Sequence, residues 1–249
     1  MMTGPRVRRG SSREDQFMNT PALATYELTD AIATITLDDG KANVMSEAML
    51  EAIERALDRA EADQAVVLFT GRGRIFSGGY DLALFRRSPH EVVKTMRAGG
   101  ELARRILGFP RPVVVACNGH AVAQGAFLLL AADVRIGAAG DFKLGLNEVA
   151  IGLTIPHYGV ELARFRLSAP WFNHSTLTGA LYPPSDALTA GFLDRVVAYE
   201  EVLSVAREEA RQLTKIDARA HTNTKQRVRR LVLEAMREGI DSELRVSAW

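Results

Sequence analysis

The sequence contains very little cysteine. Cys117 is the one cysteine among 249 residues, so the chain cannot form an internal disulfide. It falls in an apolar run at 113–117, which predicts a buried packing thiol. A chain of this length buries enough surface to fold without disulfides or a structural metal, and the composition gives no sign of an oxidising compartment.

Long apolar runs and an excess of one charge are also missing. The longest apolar stretch, 121–132, is interrupted by Gln124 and Gly125 and falls short of the ~18 residues that a membrane-spanning helix needs. Residues 1–17 are basic, but no apolar segment follows them. They predict a disordered leader rather than a secretory signal, with ordered protein beginning near Met18. The net charge of +1 does not indicate a protein that binds nucleic acid. We therefore expect a cytoplasmic protein that binds neither nucleic acid nor membrane.

Several familiar catalytic motifs are absent as well. No Gly-x-Ser-x-Gly segment occurs, which leaves a hydrolase nucleophile unsupported. No His-Glu-x-x-His segment occurs and the five histidines are scattered, so we expect no metal site. The segment 70–74 has a glycine pattern similar to a phosphate loop, but it lacks the Gly-Lys-Ser/Thr end and is interpreted as a turn.

The pattern that is present alternates strands, glycine-containing loops and helices, which favours α/β packing. Apolar runs predict strands at 24–28, 31–37, 65–69, 113–117, 133–136, 142–144 and 194–198. Helical spacing and capping residues, including Ser46 and Ser88, predict helices at 46–63, 88–107, 124–132, 200–213 and 218–237. From about residue 192 the chain is mainly helical.

Two glycine-bearing loops, at 75–82 and 118–127, are the candidates for chemistry. Small residues let a ligand approach the main chain, and a helix that begins near Gln124 presents free amide groups and the positive end of its dipole. Two such loops side by side would present converging N–H donors, which is how proteins hold a developing oxyanion. Glycine pairs also serve ordinary turns, so the residues alone leave both interpretations open.

These loops resemble signature elements of the enoyl-CoA hydratase/isomerase (crotonase) superfamily. The segment Phe76-Ser77-Gly78-Gly79-Tyr80-Asp81-Leu82 is similar to that family's Phe-Ser-Ala-Gly-Ala-Asp-Leu element, and 113–133 is similar to its second element. Gly145-Leu146-Asn147-Glu148 adds a third similarity. The resemblance extends from about 28 to about 197 and more weakly beyond. It implies a ββα spiral core over 18–191 and a mainly helical trimerisation region over 192–249, in a homotrimer or hexamer.

The resemblance also implies chemical roles for specific positions. The backbone N–H groups of Tyr80 and Gln124 would form an oxyanion hole for the thioester carbonyl of an acyl-CoA, and Glu148 would act as the base. The second glutamate of the hydratases is replaced here by Phe127, an apolar neighbour expected to raise the pKa of Glu148. Moving a double bond from C3 to C2 needs one base, so the sequence favours Δ3,Δ2-enoyl-CoA isomerase activity in fatty-acid metabolism. Two alternatives stay open: a 2-enoyl-CoA hydratase, a lyase, that uses Glu148 alone, and an acyl-CoA binding protein with weak catalysis.

Substrate contacts implied by the resemblance surround these groups. Lys41 and Asn43 match the loop that holds the adenine end of coenzyme A, and Lys225 of a neighbouring subunit is a further candidate phosphate contact. Asp81 and Asp133 are interpreted as structural anchors. The other predicted substrate-binding residues, the last of them in the acyl pocket, are Ser77, Gly78, Gly79, Gly125, Phe127 and His157. Coenzyme A arrives as part of the substrate, so no separate cofactor is expected.

Overall fold

A computed structural model describes residues 22–245, and the predicted leader over 1–17 lies outside these residues. The described chain forms two β-sheets and eight α-helices. The predicted α/β class is therefore confirmed. No helix in the described range combines the length and the apolar character needed to cross a bilayer.

The larger sheet has six strands. In spatial order they are β1 (Ala24–Thr29), β2 (Ile32–Leu37), β3 (Val66–Gly71), β5 (Val113–Cys117), β7 (Val134–Ala138) and β10 (Arg195–Val197). The first two, which match the strands predicted at 24–28 and 31–37, form an antiparallel hairpin, and the remaining neighbours pair in parallel. Strand β5 is buried along its whole length, as expected for a parallel sheet that is covered on both faces.

The smaller sheet has four short strands. Their order is β4 (Ile75–Ser77), β6 (His120–Val122), β8 (Leu144–Gly145) and β9 (Leu181–Tyr182). Strands β4, β6 and β8 follow β3, β5 and β7 in the chain, so each of three successive pairs contributes one strand to each sheet. Because β4 and β6 pair in parallel, the two glycine loops that leave them emerge side by side.

Eight α-helices lie in the described range. They are α1 (Glu47–Ala62), α2 (Pro89–Gly108), α3 (Gln124–Ala131), α4 (His157–Arg166), α5 (Ala169–Thr178), α6 (Pro184–Ala190), α7 (Val202–Leu213) and α8 (Ala218–Glu243). Ser46 caps α1, and Ser88 forms the predicted capping box with Glu91 at the start of α2. All eight residues of α3 are buried, as expected for a helix that is apolar all round.

The C-terminal helices pack on the rest of the chain. Helix α7 covers β3, β5 and β7, whereas α8 packs along α2 and α4. The guanidinium group of Arg97 on α2 bonds the end of α8, donating to Asp241 Oδ1 at 2.6 Å and to the carbonyl oxygens of Ile240 and Leu244. Strand β10 extends the larger sheet, so the region beyond residue 192 shares the sheet of the preceding core.

Several elements were not predicted. No element was predicted between residues 145 and 193, where the structure contains α4, α5 and α6. None of these three helices has a side-chain N-cap hydrogen bond. Two of them nonetheless begin with recognised signals, because α5 has Ser168 at its N-cap and both α5 and α6 have a proline in the first turn. Strands of two or three residues such as β6 and β8 are defined by pairing with neighbours rather than by their own pattern.

Cys117 has the environment that its apolar run predicts. It is buried at the end of β5, where its thiol donates to the carbonyl oxygen of Gly119 at 3.3 Å. Burial raises the pKa of the thiol to about 12. A thiol with so high a pKa is a packing residue rather than a nucleophile.

Candidate functional site

An apolar cavity of about 390 Å³ lies beside the two glycine loops, within the size range of small-molecule sites. Its polar end is formed by residues that follow β4, β6 and β8, namely Gly78, Tyr80, Ala123, Asn147 and Glu148. Apolar side chains form most of the remaining wall, among them Leu82, Phe85, Val93, Met96, Ile151 and Leu244. The cavity therefore suits a ligand with one polar group and an apolar tail.

Gly79 brings the first glycine loop against the second. Its φ angle is +84°, a conformation that favours glycine. A Cβ atom built there would lie 2.8 Å from the carbonyl oxygen of Val122 and 3.3 Å from the backbone nitrogen of Gln124. Only a glycine permits this approach, which places Tyr80 and Gln124 in adjoining loops at the polar end of the cavity.

The two predicted oxyanion donors have no hydrogen-bond acceptor among the residues that the structure describes. Gln124 is the first residue of α3, and the first bond of that helix runs from Phe127 N to Ala123 O at 3.0 Å. The N–H of Gln124 is thus one of the donors that a helix start leaves without a partner. Within residues 22–245, neither this N–H nor that of Tyr80 donates to another protein group. Tyr80 and Ala123 line the cavity, whereas Gln124, the next residue, is fully buried and is not part of its lining.

Ala123 has an unusual backbone for a residue with a side chain. Its φ and ψ angles are 52° and -122°, a region that glycine occupies readily and other residues rarely do. Its N–H donates to Gly145 O at 3.0 Å, which ties the second loop to β8. The conformation turns the chain sharply from β6 into α3, and we infer that the turn stores strain at the site.

Glu148 supplies a buried carboxyl group at the same end of the cavity. The residue is 7% exposed, and its Oε2 atom has no hydrogen-bond partner in the described part of the chain. Burial raises the pKa of Glu148 to about 7, while a hydrogen bond from its own backbone N–H acts in the opposite direction. The predicted direction of this shift is confirmed. A carboxyl group that is half ionised near neutral pH is suited to proton transfer.

Phe127 occupies the predicted place in the cavity wall. It is 1% exposed and makes an edge contact with the ring of Tyr158, with ring centroids 5.6 Å apart. Its side chain carries no transferable proton. Glu243, at the end of α8, also lines the cavity, and this second acidic residue was not predicted from the sequence. The Oε2 atom of Glu243 accepts a hydrogen bond from the backbone N–H of His157 at 2.7 Å.

The loop predicted to hold coenzyme A is organised by Asp39, which the sequence analysis also missed. Burial alone would raise the pKa of Asp39, but hydrogen bonds from the backbone N–H groups of Val44, Asn43 and Lys41 lower it. The side-chain amide of Asn43 donates to Ile75 O and Phe76 O at 3.0 and 3.2 Å. Asn43 thus braces the loop from within, whereas Lys41 is exposed.

Ser77 and Gly125 hold the two loops together rather than forming the cavity wall. The hydroxyl group of Ser77 donates to Asn43 O at 2.7 Å and accepts from Gly79 N at 3.1 Å. A Cβ atom at Gly125 would lie 2.6 Å from the carbonyl oxygen of Ser77. Of the small residues that the resemblance assigns to the substrate, Gly78 is the one in the cavity lining.

Two predicted contacts are wrong in this structure. His157 does not line the cavity; its side chain is 57% exposed at the start of α4 and packs against Gly239 of α8. Lys225 is not available to a phosphate, because its buried ammonium group donates to Asp133 Oδ2 at 2.7 Å. Both errors arise from the course of α8, which the sequence pattern does not reveal.

Asp81 and Asp133 have the predicted anchoring roles. Asp81 accepts a hydrogen bond from Ala83 N at 2.9 Å and caps the short helical turn Leu82–Arg86. Asp133 accepts from Val113 N at 2.7 Å and pairs with both Lys225 and Arg229. In the residues that the structure describes, no group of three or more His, Cys, Asp or Glu side chains is placed to hold a metal ion.

The chain matches one protein family and is similar to several solved structures. The model of the family described as enoyl-CoA hydratase/isomerase matches residues 27–248. The chain is similar to an enoyl-CoA hydratase/isomerase family protein from Pseudomonas syringae, with 47% identity, a TM-score of 0.88, and coverage of 89% of this chain and 96% of that one.

Two further similar structures have different activities in their names. One is an apo enoyl-CoA isomerase of Mycobacterium tuberculosis, with 41% identity, a TM-score of 0.86, and coverage of 89% of this chain and 97% of that one. The other is an enoyl-CoA hydratase from Mycobacterium marinum, with 40% identity, a TM-score of 0.85, and coverage of 88% and 96%. Similarity of this kind does not separate the two activities.

Proposed function

The chain belongs to the enoyl-CoA hydratase/isomerase family of enzymes, whose model matches residues 27–248, and we propose that it is a Δ3,Δ2-enoyl-CoA isomerase of fatty-acid metabolism. The observation that carries this proposal is the polar end of the cavity. A buried carboxyl group with an unpaired oxygen, at Glu148, shares that end with the loops that carry two unpaired backbone N–H donors. Phe127, which cannot transfer protons, lines the cavity, and the family resemblance aligns it with the second glutamate of the hydratases.

The proposed reaction moves one proton between two carbons of the substrate. The carbonyl oxygen of a 3-enoyl thioester accepts hydrogen bonds from the N–H groups of Tyr80 and Gln124. The Glu148 carboxylate removes a proton from C2, and the electron pair of that C–H bond moves toward the carbonyl oxygen to form a dienolate. The protonated Glu148 then returns the proton to C4, which leaves the double bond between C2 and C3. Donors placed at the developing negative charge contribute about 3 kcal/mol each to such a step.

Incubation with two substrates tests the proposal. The protein is given a 3-enoyl-CoA or a 2-enoyl-CoA, and conjugation is followed by ultraviolet absorbance while water addition is followed by mass spectrometry. We expect the 3-enoyl-CoA to become conjugated without a change in mass. Glu148→Gln is expected to lower this rate about 10²–10⁴-fold, because a positioned base contributes that much, and to leave the dissociation constant of a saturated acyl-CoA nearly unchanged.

Glu51→Gln is the matched control, because Glu51 lies on α1 with an exposed side chain and does not line the cavity. This variant is expected to retain the full isomerase rate. Undiminished turnover in Glu148→Gln would contradict the role of Glu148. Tight binding of acyl-CoA without turnover in the unmodified protein would instead favour the weakly catalytic binding protein.

Hydration of a 2-enoyl-CoA is the second candidate, and one observation favours it. The cavity contains a second carboxyl group, that of Glu243, and two carboxyl groups together can orient water and exchange its protons. If hydration is the main activity, Glu243→Gln will lower it strongly while Glu51→Gln leaves it intact. If isomerisation is the main activity, Glu243→Gln will change its rate far less than Glu148→Gln does.

We also propose a homotrimer or a hexamer that works in the cytoplasm without a cofactor of its own. The side chains of Val228 and Leu231 on α8 are 64% and 68% exposed, which supports a subunit contact on this helix. Light scattering coupled to size-exclusion chromatography measures the assembly. Activity retained after dialysis against a chelator would support catalysis without an added metal.

A further inference from the structure

A buried chain of hydrogen bonds joins the side chains of the two residues that carry the candidate oxyanion donors. The hydroxyl group of Tyr158 donates to Gln124 Oε1 at 2.8 Å and lies 3.3 Å from the hydroxyl oxygen of Tyr80. Gln124 in turn donates from Nε2 to the carbonyl oxygen of Gly99 on α2 at 2.7 Å. Tyr158 is fully buried and does not line the cavity. Its hydroxyl group therefore touches both donor residues without touching the ligand space.

Helix α2 leaves space for the tyrosine side chains that form these hydrogen bonds. A Cβ atom at Gly99 would overlap the hydroxyl oxygen of Tyr80, and one at Gly100 would lie 2.9 Å from the ring of Tyr158. Glycine inside a helix destabilises it relative to alanine, so two adjacent glycines are unfavourable for α2 itself. Their presence makes room for two tyrosine side chains in the same place.

The same hydrogen bonds also affect the conformation of the two glycine loops. Gly79 and Ala123 both have positive φ angles. Ala123 carries a side chain, so its conformation is strained and persists only where the surrounding packing holds it. The side chains of Tyr80 and Gln124 leave the loops directly beside the two donor N–H groups. A bond that fixes both side chains to one hydroxyl group restricts the separation of the two N–H groups, and a displacement of 1 Å is enough to lower a rate a hundredfold.

We propose that Tyr158 is a positioning residue for the oxyanion hole, with its hydroxyl group setting the relative placement of the Tyr80 and Gln124 backbone donors. This inference rests on the proposed function, because it assumes that those two N–H groups bind the thioester carbonyl. Under this proposal, Tyr158 and the side chain of Gln124 influence the reaction without touching the substrate.

Tyr158→Phe tests the proposal because it removes the hydroxyl group and keeps the ring that packs on Phe127. We expect kcat for isomerisation to fall between about tenfold and a hundredfold while KM changes less than threefold. A second readout does not depend on turnover. Binding of a 2,4-dienoyl-CoA is expected to shift its absorption band to longer wavelength in the unmodified protein, because the donors polarise the carbonyl, and to shift it less in Tyr158→Phe.

Tyr182→Phe is the matched control. The Tyr182 hydroxyl group is also buried and hydrogen-bonded, to His174 Nδ1 at 2.7 Å and Ser175 Oγ at 3.0 Å, but Tyr182 does not line the cavity. Its removal should lower the melting temperature and leave both kcat and the absorption shift unchanged. A merely structural role for Tyr158 predicts the same pattern for Tyr158→Phe, which would overturn the proposal.

Gln124→Met supplies an independent variant if Tyr158→Phe folds poorly. It keeps the backbone N–H of residue 124 and removes the acceptor of the Tyr158 hydroxyl group. We expect a reduced absorption shift as in Tyr158→Phe. The loss in the double variant is expected to be smaller than the sum of the two single losses, because both changes remove the Tyr158–Gln124 bond. Additive losses, or a full shift in Gln124→Met, would overturn the proposal. An isomerase rate of zero with a normal shift in the unmodified protein would refute the proposed function alone.

Discussion

Replacing Glu148 with glutamine should stabilise the folded protein at alkaline pH. The structure holds this carboxyl group 7% exposed with one oxygen unpaired, and burial raises its pKa from 4.5 to about 7. At about 1.36 kcal/mol per pKa unit, the ionised form destabilises the folded state by about 3 kcal/mol. Glutamine has nearly the same shape and no charge to desolvate, so the variant avoids this penalty.

The dependence on pH follows from proton binding. Between pH 4.5 and about 7 the folded state binds more protons at Glu148 than the unfolded state does, so the free energy of unfolding falls as pH rises through this window. Below the window both states are protonated, and above it the full penalty is present. The advantage of Glu148→Gln over the unmodified protein should therefore grow by about 2 kcal/mol between pH 5 and pH 8.5.

Thermal unfolding of the two proteins at both pH values measures this difference. For a chain of this size, about 2 kcal/mol corresponds to a melting-temperature gain that is roughly 4–8 °C larger at pH 8.5 than at pH 5. Other titrating groups, such as Lys225, whose pKa burial lowers to about 8, are common to both proteins and cancel. Glu51→Gln, at an exposed position, should show no such change. An equal gain at the two pH values for Glu148→Gln would refute the argument that its carboxyl group is desolvated.

Three further predictions follow from the same geometry. The kcat/KM for isomerisation should rise about tenfold per pH unit below pH 7 and level off above it, because Glu148 acts as a base only when ionised. A flat profile between pH 5.5 and 8.5 would contradict this role. Ala123→Gly should raise the free energy of unfolding in urea by about 1 kcal/mol, because glycine adopts a φ of 52° without strain; a destabilised variant would show that the turn is unstrained. Asp133→Asn should lower the free energy of unfolding by about 3–5 kcal/mol, because Lys225 and Arg229 would stay buried without their counter-charge; a urea midpoint close to that of the unmodified protein would show that this ion pair is not essential.

Much of the fold was predictable because the responsible interactions are local. Ser46 and Ser88 cap their own helices within three residues, and the apolar run at 113–117 is a strand that is buried on both faces. The helices between 157 and 190 were not predicted: α4 begins without a polar N-cap residue, and the proline signals at the starts of α5 and α6 were overlooked. The short strands of the smaller sheet likewise depend on partners elsewhere in the chain.

Some features of the candidate site were likewise predictable from the sequence, and others were not. The loop sequences around Gly79 and Gln124 indicated the backbone donors, and the apolar neighbour Phe127 indicated the raised pKa of Glu148. Both inferences concern a residue that acts through its own backbone or through the polarity of its surroundings. The direction of the Glu148 shift agrees with the structure, and the roles of the two backbone donors stay predictions. The prediction for His157 failed because its side chain faces α8, which crosses the start of α4.

The sequence by itself determined the α/β class, the two glycine loops and the single carboxyl group that follows β8. These depend on local spacing and on residue type, which any sequence displays directly. Only the tertiary structure decided that Tyr158 bonds Gln124, 34 positions away, and that Glu243 reaches the cavity from the last helix. Such contacts depend on how helices pack against one another, because the packing of a whole core sets distances that no local pattern contains.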